Sequence, residues 1–225
     1  KMKTVKNELL NKSSNIFDNY DLKREEGEND SHICSMIRND SVEEFVSYVT
    51  RSNCSLSSQI APSIFETNSF ILERKDTTLI EYSAFFGSIQ IFQYLMMSEV
   101  ELRASLWLYA IHSKNASLIH ILETKEVCPP KFDNKNEEEL NEANNEYLRC
   151  LTESIKCHHN DFADYIQNNF LFQEEKDPKR NETITCNCIK YHNYYYLETE
   201  TIKEHGFFYL HLYKYNELFN LLLKE

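Results

Sequence analysis

The residues best suited to chemistry are cysteines and histidines in the second half of the chain. They are Cys186, Cys188 and His192, with Cys157, His158 and His159 nearby if the chain folds into stacked layers. Zinc needs four well-placed thiolate or imidazole ligands, and paired structural ligands usually stand two to four residues apart. The C-x-C-x3-H spacing of the first group fits this rule poorly. We therefore predict no bound metal and no cofactor.

Catalytic motifs are missing from the sequence. It contains no nucleophile elbow, no H-E-x-x-H pair and, with 3 glycines in all, no glycine-rich phosphate loop. Cys157 and His158 are adjacent, and adjacent side chains on a helix point in different directions, so they do not form a nucleophile–base couple. We predict a protein that is not an enzyme and has no catalytic residues. The alternative is a metal-dependent or enzymatic domain that uses the Cys/His-containing insertion.

The composition and net charge of the chain argue against several classes of protein. The net charge of −12 argues against a nucleic-acid partner, because phosphate neutralisation requires clustered Lys and Arg. Few Gly and Pro residues disfavour a chain with many tight β-turns. Seven cysteines cannot all pair within one chain, which fits a reduced protein and predicts a cytoplasmic location. Neither a signal peptide nor an apolar run of the roughly 20 residues that span a bilayer is present, so no membrane partner is expected.

The elements that would position these side chains are amphipathic helices. Residues 78–122 contain two successive helical pairs, in which apolar residues recur at helical spacing and a Gly or a Lys-Asn interrupts the run. The same pattern recurs more weakly elsewhere, which predicts a helical-repeat domain over 31–225 behind a polar segment or capping helix at 1–30. The predicted repeats lie near 31–50, 78–97, 105–123, 147–170 and 205–224, with insertions at 52–75, 128–146 and 173–204.

Two of these insertions carry further expectations. A short helix or strand is expected around 64–72. The segment 183–197 is rich in Thr, Ile and Tyr, which is typical of one or two strands.

One of the predicted repeats carries a family resemblance. The string T-L-I-E-Y-S-A-F-F-G-S-I-Q-I-F-Q-Y-L-M is similar to the ankyrin-repeat consensus, whose defining positions are occupied by Thr78, Ile80, Ala84, Gly87, Ile91, Phe92 and Leu95. Leu79 replaces the usual Pro, and Glu81 replaces the His that normally bonds with Thr. The chain as a whole resembles the divergent ankyrin-like domains of large protist families, many of which have no assigned activity. This implies an all-α, ankyrin-like solenoid with long insertions, to which the Thr-, Ile- and Tyr-rich segment 183–197 could add one small β-hairpin.

The resemblance also implies a binding surface. In ankyrin units the first helix of each pair lines the concave side, and carrying this over places seven residues there: Tyr82, Phe85, Phe86, Tyr109, His112, Glu153 and Lys156. Exposed aromatics beside polar groups have the composition of a binding hot spot. Alternatively, the insertions cover this face and the aromatics are ordinary core.

The predicted function is therefore a non-enzymatic scaffold that binds another protein through the concave face or the insertions. The chain ends directly after an apolar helix. We expect further repeats or a partner subunit to cover that C-terminal face, since the end of a stack otherwise exposes apolar surface.

Overall fold

The computed structural model describes residues 20–127, 137–170, 178–197 and 202–222. Within these ranges the protein is all-α, as predicted, and the only β-type pairing is one isolated antiparallel bridge between Gln59 and Thr78. No helix among the described residues is long and apolar enough to cross a membrane. Most of the predicted capping segment, the first half of the 128–146 insertion and the last three residues lie outside the described ranges. The chain divides into two compact units, residues 1–83 with 88–101 and residues 84–87 with 102–225.

The helices of the first unit are short. They are α1 (Tyr20–Glu26), α2 (His32–Arg38), α3 (Val42–Ser52), α4 (Ser69–Glu73), most of α5 (Leu79–Phe86) and α6 (Ile89–Met97). Helix α4 lies in the connector where a short helix or strand was expected. The core of the unit includes Phe45, Phe70, Ile91 and Phe92, each no more than 1% exposed.

The second unit contains the remaining helices. They are α7 (Leu106–Ser113), α8 (Ala116–Thr124), α9 (Glu137–Lys156), α10 (Asn160–Asn169), α11 (Pro178–Lys190), α12 (Phe207–Leu212) and α13 (Asn216–Leu222), with a 3₁₀ turn at Tyr194–Tyr196 and a π-helical turn at Ile202–Gly206. Helix α9 packs against α7, α10 and α11, and α11 also packs against the 3₁₀ turn, the π-helical turn and α12.

The expectation of strands over 183–197 is wrong. Helix α11 runs through the first part of that segment and the 3₁₀ turn follows it. The helix begins at Pro178, a residue suited to the first helical position because its missing N–H would have no partner there. Thr185, Cys188 and Ile189 are fully buried at helical spacing. Burial of this stripe outweighs the strand preference of Thr and Ile.

Among the described residues, one kind of turn joins two helical segments across only two or three residues six times, and it also ends α3, α6 and α8 at Asn53, Glu99 and Glu126. Its central residue adopts the left-handed backbone conformation, and in the six helix-joining turns it is Asp40, Gly87, Lys114, His158, His192 or Lys214, with φ between 49° and 72°. In five of these six, all but the turn at Lys114, the next residue donates its N–H to the carbonyl five residues back at 2.8–3.0 Å. This is the Schellman arrangement, which satisfies carbonyls at the end of a helix.

Consecutive turns are also joined by side chains. In each case the donor is the side chain of the residue directly after the left-handed one. The acceptor belongs to the preceding turn, and it is the backbone carbonyl three residues before the left-handed residue of that turn. Ser88 Oγ donates in this way to Ile37 O, His159 Nδ1 to Ile111 O at 2.7 Å, and Asn193 Nδ2 to Ile155 O at 2.9 Å. At the turn centred on Lys114 the acceptor differs, because Asn115 Nδ2 donates to Gly87 O, the carbonyl of the left-handed residue itself, at 3.4 Å. We call these contacts the turn-to-turn hydrogen bonds.

Residues 78–81 explain how α5 begins without the His of the ankyrin consensus. Glu81 Oε2 accepts hydrogen bonds from the backbone N–H of Thr78 at 2.9 Å and from its hydroxyl at 2.8 Å. The N–H of Glu81 in turn donates to Thr78 Oγ1 at 3.4 Å. This is a capping box, in which a Glu three residues after a Thr satisfies the first free N–H groups of a helix.

Replacing the buried Asn193 tests the turn-to-turn hydrogen bonds. Asn193→Ala should lower the free energy of unfolding by about 1–3 kcal/mol, because the hydrogen bonds that the buried Asn193 amide donates to Ile155 O and Asn160 Oδ1 are lost. Asn169→Ala is the matched control, since Asn169 is exposed and bonds only within its own helix, and should change stability by less than roughly 0.5 kcal/mol. Equal losses in urea unfolding of the two variants would contradict the assignment.

Candidate functional site

The aromatic residues of the predicted binding surface are in the core, which corrects that part of the expectation. Tyr82 is 0% exposed and Tyr109 is 3% exposed, while Phe85 is also buried and Phe86 is half-buried. Of the two alternatives for these residues, the one that makes them ordinary core is correct. Helix α7 shows the reason, because its residues Leu106–Ile111 are all buried. A helix that is apolar on every side has no solvent-facing aromatic stripe.

Tyr82 has a structural partner in the first unit. Its hydroxyl accepts a hydrogen bond at 3.1 Å from the Arg38 guanidinium. The same guanidinium group donates to the carbonyl of Asn29 at 2.7 Å and pairs with Glu28 at 2.6 Å. Tyr82 therefore anchors Arg38 within the unit, and its phenol is not available to a partner.

The polar members of the predicted surface do come together in the second unit. His112 at the end of α7 and Glu153 near the end of α9 approach to 3.0 Å between Nε2 and Oε1. Lys156 Nζ lies 3.1 Å from the same Oε1. His112 and Glu153 are only 14% and 12% exposed, so this contact is shielded from water. The ring of Phe85 packs on the imidazole, with centroids 4.7 Å apart.

Cys157 completes this group, although no motif in the sequence connects it with His112. Its Sγ lies 3.6 Å from His112 Nδ1, 3.9 Å from His112 Nε2 and 4.0 Å from Glu153 Oε1. The signal that could have identified it is spacing, because Cys157 stands four residues after Glu153 and so faces the same side of α9. We call His112, Glu153 and Cys157 the His–Glu–Cys cluster.

The charges of the cluster follow from its burial. Burial raises the pKa of the Cys157 thiol to about 11, and the nearby Glu153 carboxylate adds to the effect. Burial alone would also raise the pKa of Glu153, but the hydrogen bond from His112 and the Lys156 ammonium outweigh it and lower that pKa below its usual 4.5. At neutral pH the cluster holds a carboxylate beside a protonated thiol.

The cysteine group singled out in the sequence has a different arrangement. Cys186 and Cys188 both lie on α11, where Cys188 is fully buried and Cys186 is half-buried. His192 occupies the following turn and contacts Tyr215 at 2.7 Å. Among the described residues, the His–Glu–Cys cluster is the one group of three or more potential ligands close enough to share a metal ion.

A groove of about 730 Å³ lies between α8 and α10. Its walls include exposed His120 and half-buried Phe162, and the turn residues Lys114 and His158 lie at its edge. Tyr165 donates a hydrogen bond to Glu123 and so links the two helices. The sequence analysis assigned no role to these second helices of each pair.

The burial of Tyr109 leads to a stability prediction. Tyr109→Ala should lower the free energy of unfolding by roughly 3–5 kcal/mol, as large-to-small changes at buried aromatic residues do. Tyr195→Ala, at a tyrosine that is 64% exposed, is the control and should have a much smaller effect. Thermal unfolding of both variants is the measurement, and an unchanged midpoint for Tyr109→Ala would place this residue on the surface.

The lowered pKa of Glu153 leads to a pH-dependent prediction. A carboxyl whose pKa is depressed on folding stabilises the protein above its unfolded pKa, and this contribution is lost as pH falls through the folded value. At pH 7, Glu153→Gln should cost about 1–3 kcal/mol because hydrogen bonds to a charged acceptor are lost. The difference from wild type should shrink as the pH falls below 4.5.

Glu146→Gln is the control for this measurement, because Glu146 pairs with Arg149 on the exposed side of α9. Its cost should be small at every pH, since exposed ion pairs contribute little to stability. Urea unfolding at several pH values distinguishes the variants. A cost of Glu153→Gln that does not vary with pH would contradict the ionic role.

Comparisons of this chain with protein-family models, with curated protein sequences and with solved structures found no match. Its function is therefore inferred from its own residues.

Proposed function

We propose that the protein is a non-enzymatic interaction scaffold of the ankyrin-like helical-repeat type, and that it binds another protein. The observation that supports this most directly is the recurrence of one turn with turn-to-turn hydrogen bonds. Proteins built from stacked helical pairs expose long grooves between equivalent helices and commonly use them for binding. The capping box at Thr78 and Glu81 and the left-handed Gly87 lie at positions of the ankyrin consensus and support the same proposal.

The burial of the aromatics moves the proposed binding surface away from α5 and α7. Tyr82, Phe85 and Tyr109 are not accessible to a partner, whereas the groove between α8 and α10 is open. We place a polypeptide segment of the partner in this groove. Phe162 and Tyr165 offer aromatic surface there, and His120 and Asp161 offer hydrogen-bonding groups. Aromatic side chains flanked by polar groups are the usual composition of energetic hot spots.

An enzymatic role has one feature in its favour, which is the approach of Cys157 to His112 at 3.6 Å. The protonated state of the Cys157 thiol argues against an enzymatic role. A reactive cysteine has a lowered pKa and is present as the thiolate, whereas the pKa of Cys157 is raised to about 11. The scaffold proposal therefore accounts better for this residue, as part of the contact between α7 and α9.

Site-specific cross-linking tests the proposed groove. A photo-reactive amino acid replaces His120 in the groove, Tyr195 outside it, or Lys156 beside the His–Glu–Cys cluster. Extracts of the source cells are then irradiated with each form. A partner should be cross-linked from position 120, should be displaced by excess unlabelled protein, and should be absent from position 195.

Substitution of Phe162 gives the matching affinity test with the partner so identified. Phe162→Ala should weaken binding by roughly 2 kcal/mol or more if this side chain is a hot spot. Tyr195→Ala should leave the affinity unchanged. Cross-linking from position 156 alone would place the partner on the originally predicted face, and specific cross-linking from none of the positions would contradict both surfaces.

A further inference from the structure

The His–Glu–Cys cluster has the donor atoms and the spacing of a metal site. Thiolate, imidazole and carboxylate are the three ligand types that zinc takes in proteins. His112 and Glu153 lie on two helices that pack against each other, α7 and α9, and Cys157 follows the last residue of α9 directly. His112 and Glu153 are largely shielded from solvent, while the Lys156 stem beside them is 27% exposed.

The distances within the cluster agree with tetrahedral coordination. Zinc bonds of about 2.0–2.3 Å to N, O and S require neighbouring ligand atoms to stand about 3.3–3.6 Å apart. The observed separations are 3.0 Å between His112 Nε2 and Glu153 Oε1, 3.9 Å between that nitrogen and Cys157 Sγ, and 4.0 Å between the sulfur and the carboxylate oxygen. Side-chain rotations that move each atom by roughly half an ångström would complete the geometry.

We propose that His112, Glu153 and Cys157 bind one zinc ion, with the fourth coordination position open to water or to a group from a bound protein. Binding releases the thiol proton of Cys157 to solvent and moves the imidazole proton of His112 from Nε2, which binds the ion, to Nδ1. The ion is then held by one thiolate, one carboxylate and one neutral imidazole. The charges of the two anionic ligands balance that of the ion. None of the three ligands lines the proposed groove between α8 and α10, although His158 at the edge of the groove directly follows Cys157.

Lys156 distinguishes a metal site from a purely structural polar contact. Its ammonium lies 3.1 Å from the Glu153 oxygen that would bind the metal, and it therefore competes with the cation for that oxygen. Removing the ammonium should strengthen zinc binding. If the cluster is only an ion-pair network, removing the ammonium can only weaken it.

Cobalt(II) titration of the reduced, metal-free full chain tests the proposal. One equivalent of Co²⁺ should bind and give a sulfur-to-cobalt charge-transfer band, and Zn²⁺ should displace it. Cys157→Ser should abolish the band and weaken Zn²⁺ binding at least tenfold. Cys186→Ser, which removes another half-buried thiol of the same unit, should leave both unchanged.

Lys156→Gln provides the second variant, which keeps all three ligands. It should bind Zn²⁺ several-fold more tightly than wild type in competition with a zinc indicator. The proposal is overturned if the wild type shows no charge-transfer band, if Cys157→Ser keeps it, or if Lys156→Gln binds more weakly. Circular dichroism of each variant shows that the fold is retained.

Discussion

The packing of successive helical pairs depends on hydrogen bonds to the carbonyl groups at the end of the first helix in each pair. A helix leaves its last carbonyls without partners inside the helix, and burying them unpaired is costly. Here the left-handed turn residue lets the following N–H groups reach back to them. A side chain of the next turn supplies a further donor, as His159 does for Ile111 and Asn193 does for Ile155. This donor belongs to the following pair, and it adds a second hydrogen bond to a carbonyl that already accepts an N–H group of its own turn.

The left-handed conformation at these turns has an energetic cost, which recurs at each turn. Non-glycine residues in the left-handed conformation cost roughly 1–2 kcal/mol each, and Lys114, His158 and His192 are among those that adopt it. The hydrogen bonds that the turn makes possible offset this cost. Asp40 does more, since its carboxylate also accepts the N–H groups of Gln90 and Ile91 in the first turn of α6.

The sequence predicted the helices around residues 78–122 because their apolar residues recur at helical spacing. It did not predict α11, since Thr, Ile and Tyr favour strands locally, and only the buried stripe of Thr185, Cys188 and Ile189 reveals the helix. Periodicity could not show that Tyr82 and Tyr109 are enclosed, because α5 and α7 are buried on nearly every side and Tyr82 lies beside the polar Glu81 and Ser83. The polar part of the site could be predicted from the sequence, since His112 and Glu153 occupy equivalent positions in two helical pairs and were therefore placed on one face. Cys157 was not predicted as part of the site. Its four-residue spacing from Glu153 places the two on one side of α9, but the spacing does not show that this side faces His112.

Hydrogen–deuterium exchange of residues 178–197 tests most directly the role given to the turn-to-turn hydrogen bonds. If the side chain of Asn193 completes the end of α9, the amides of α11 should be protected to nearly the same degree as those of α9 and α10. Exchange of α11 at the rate of an unstructured peptide, while α9 and α10 remain protected, would contradict the role given to the turn-to-turn hydrogen bonds.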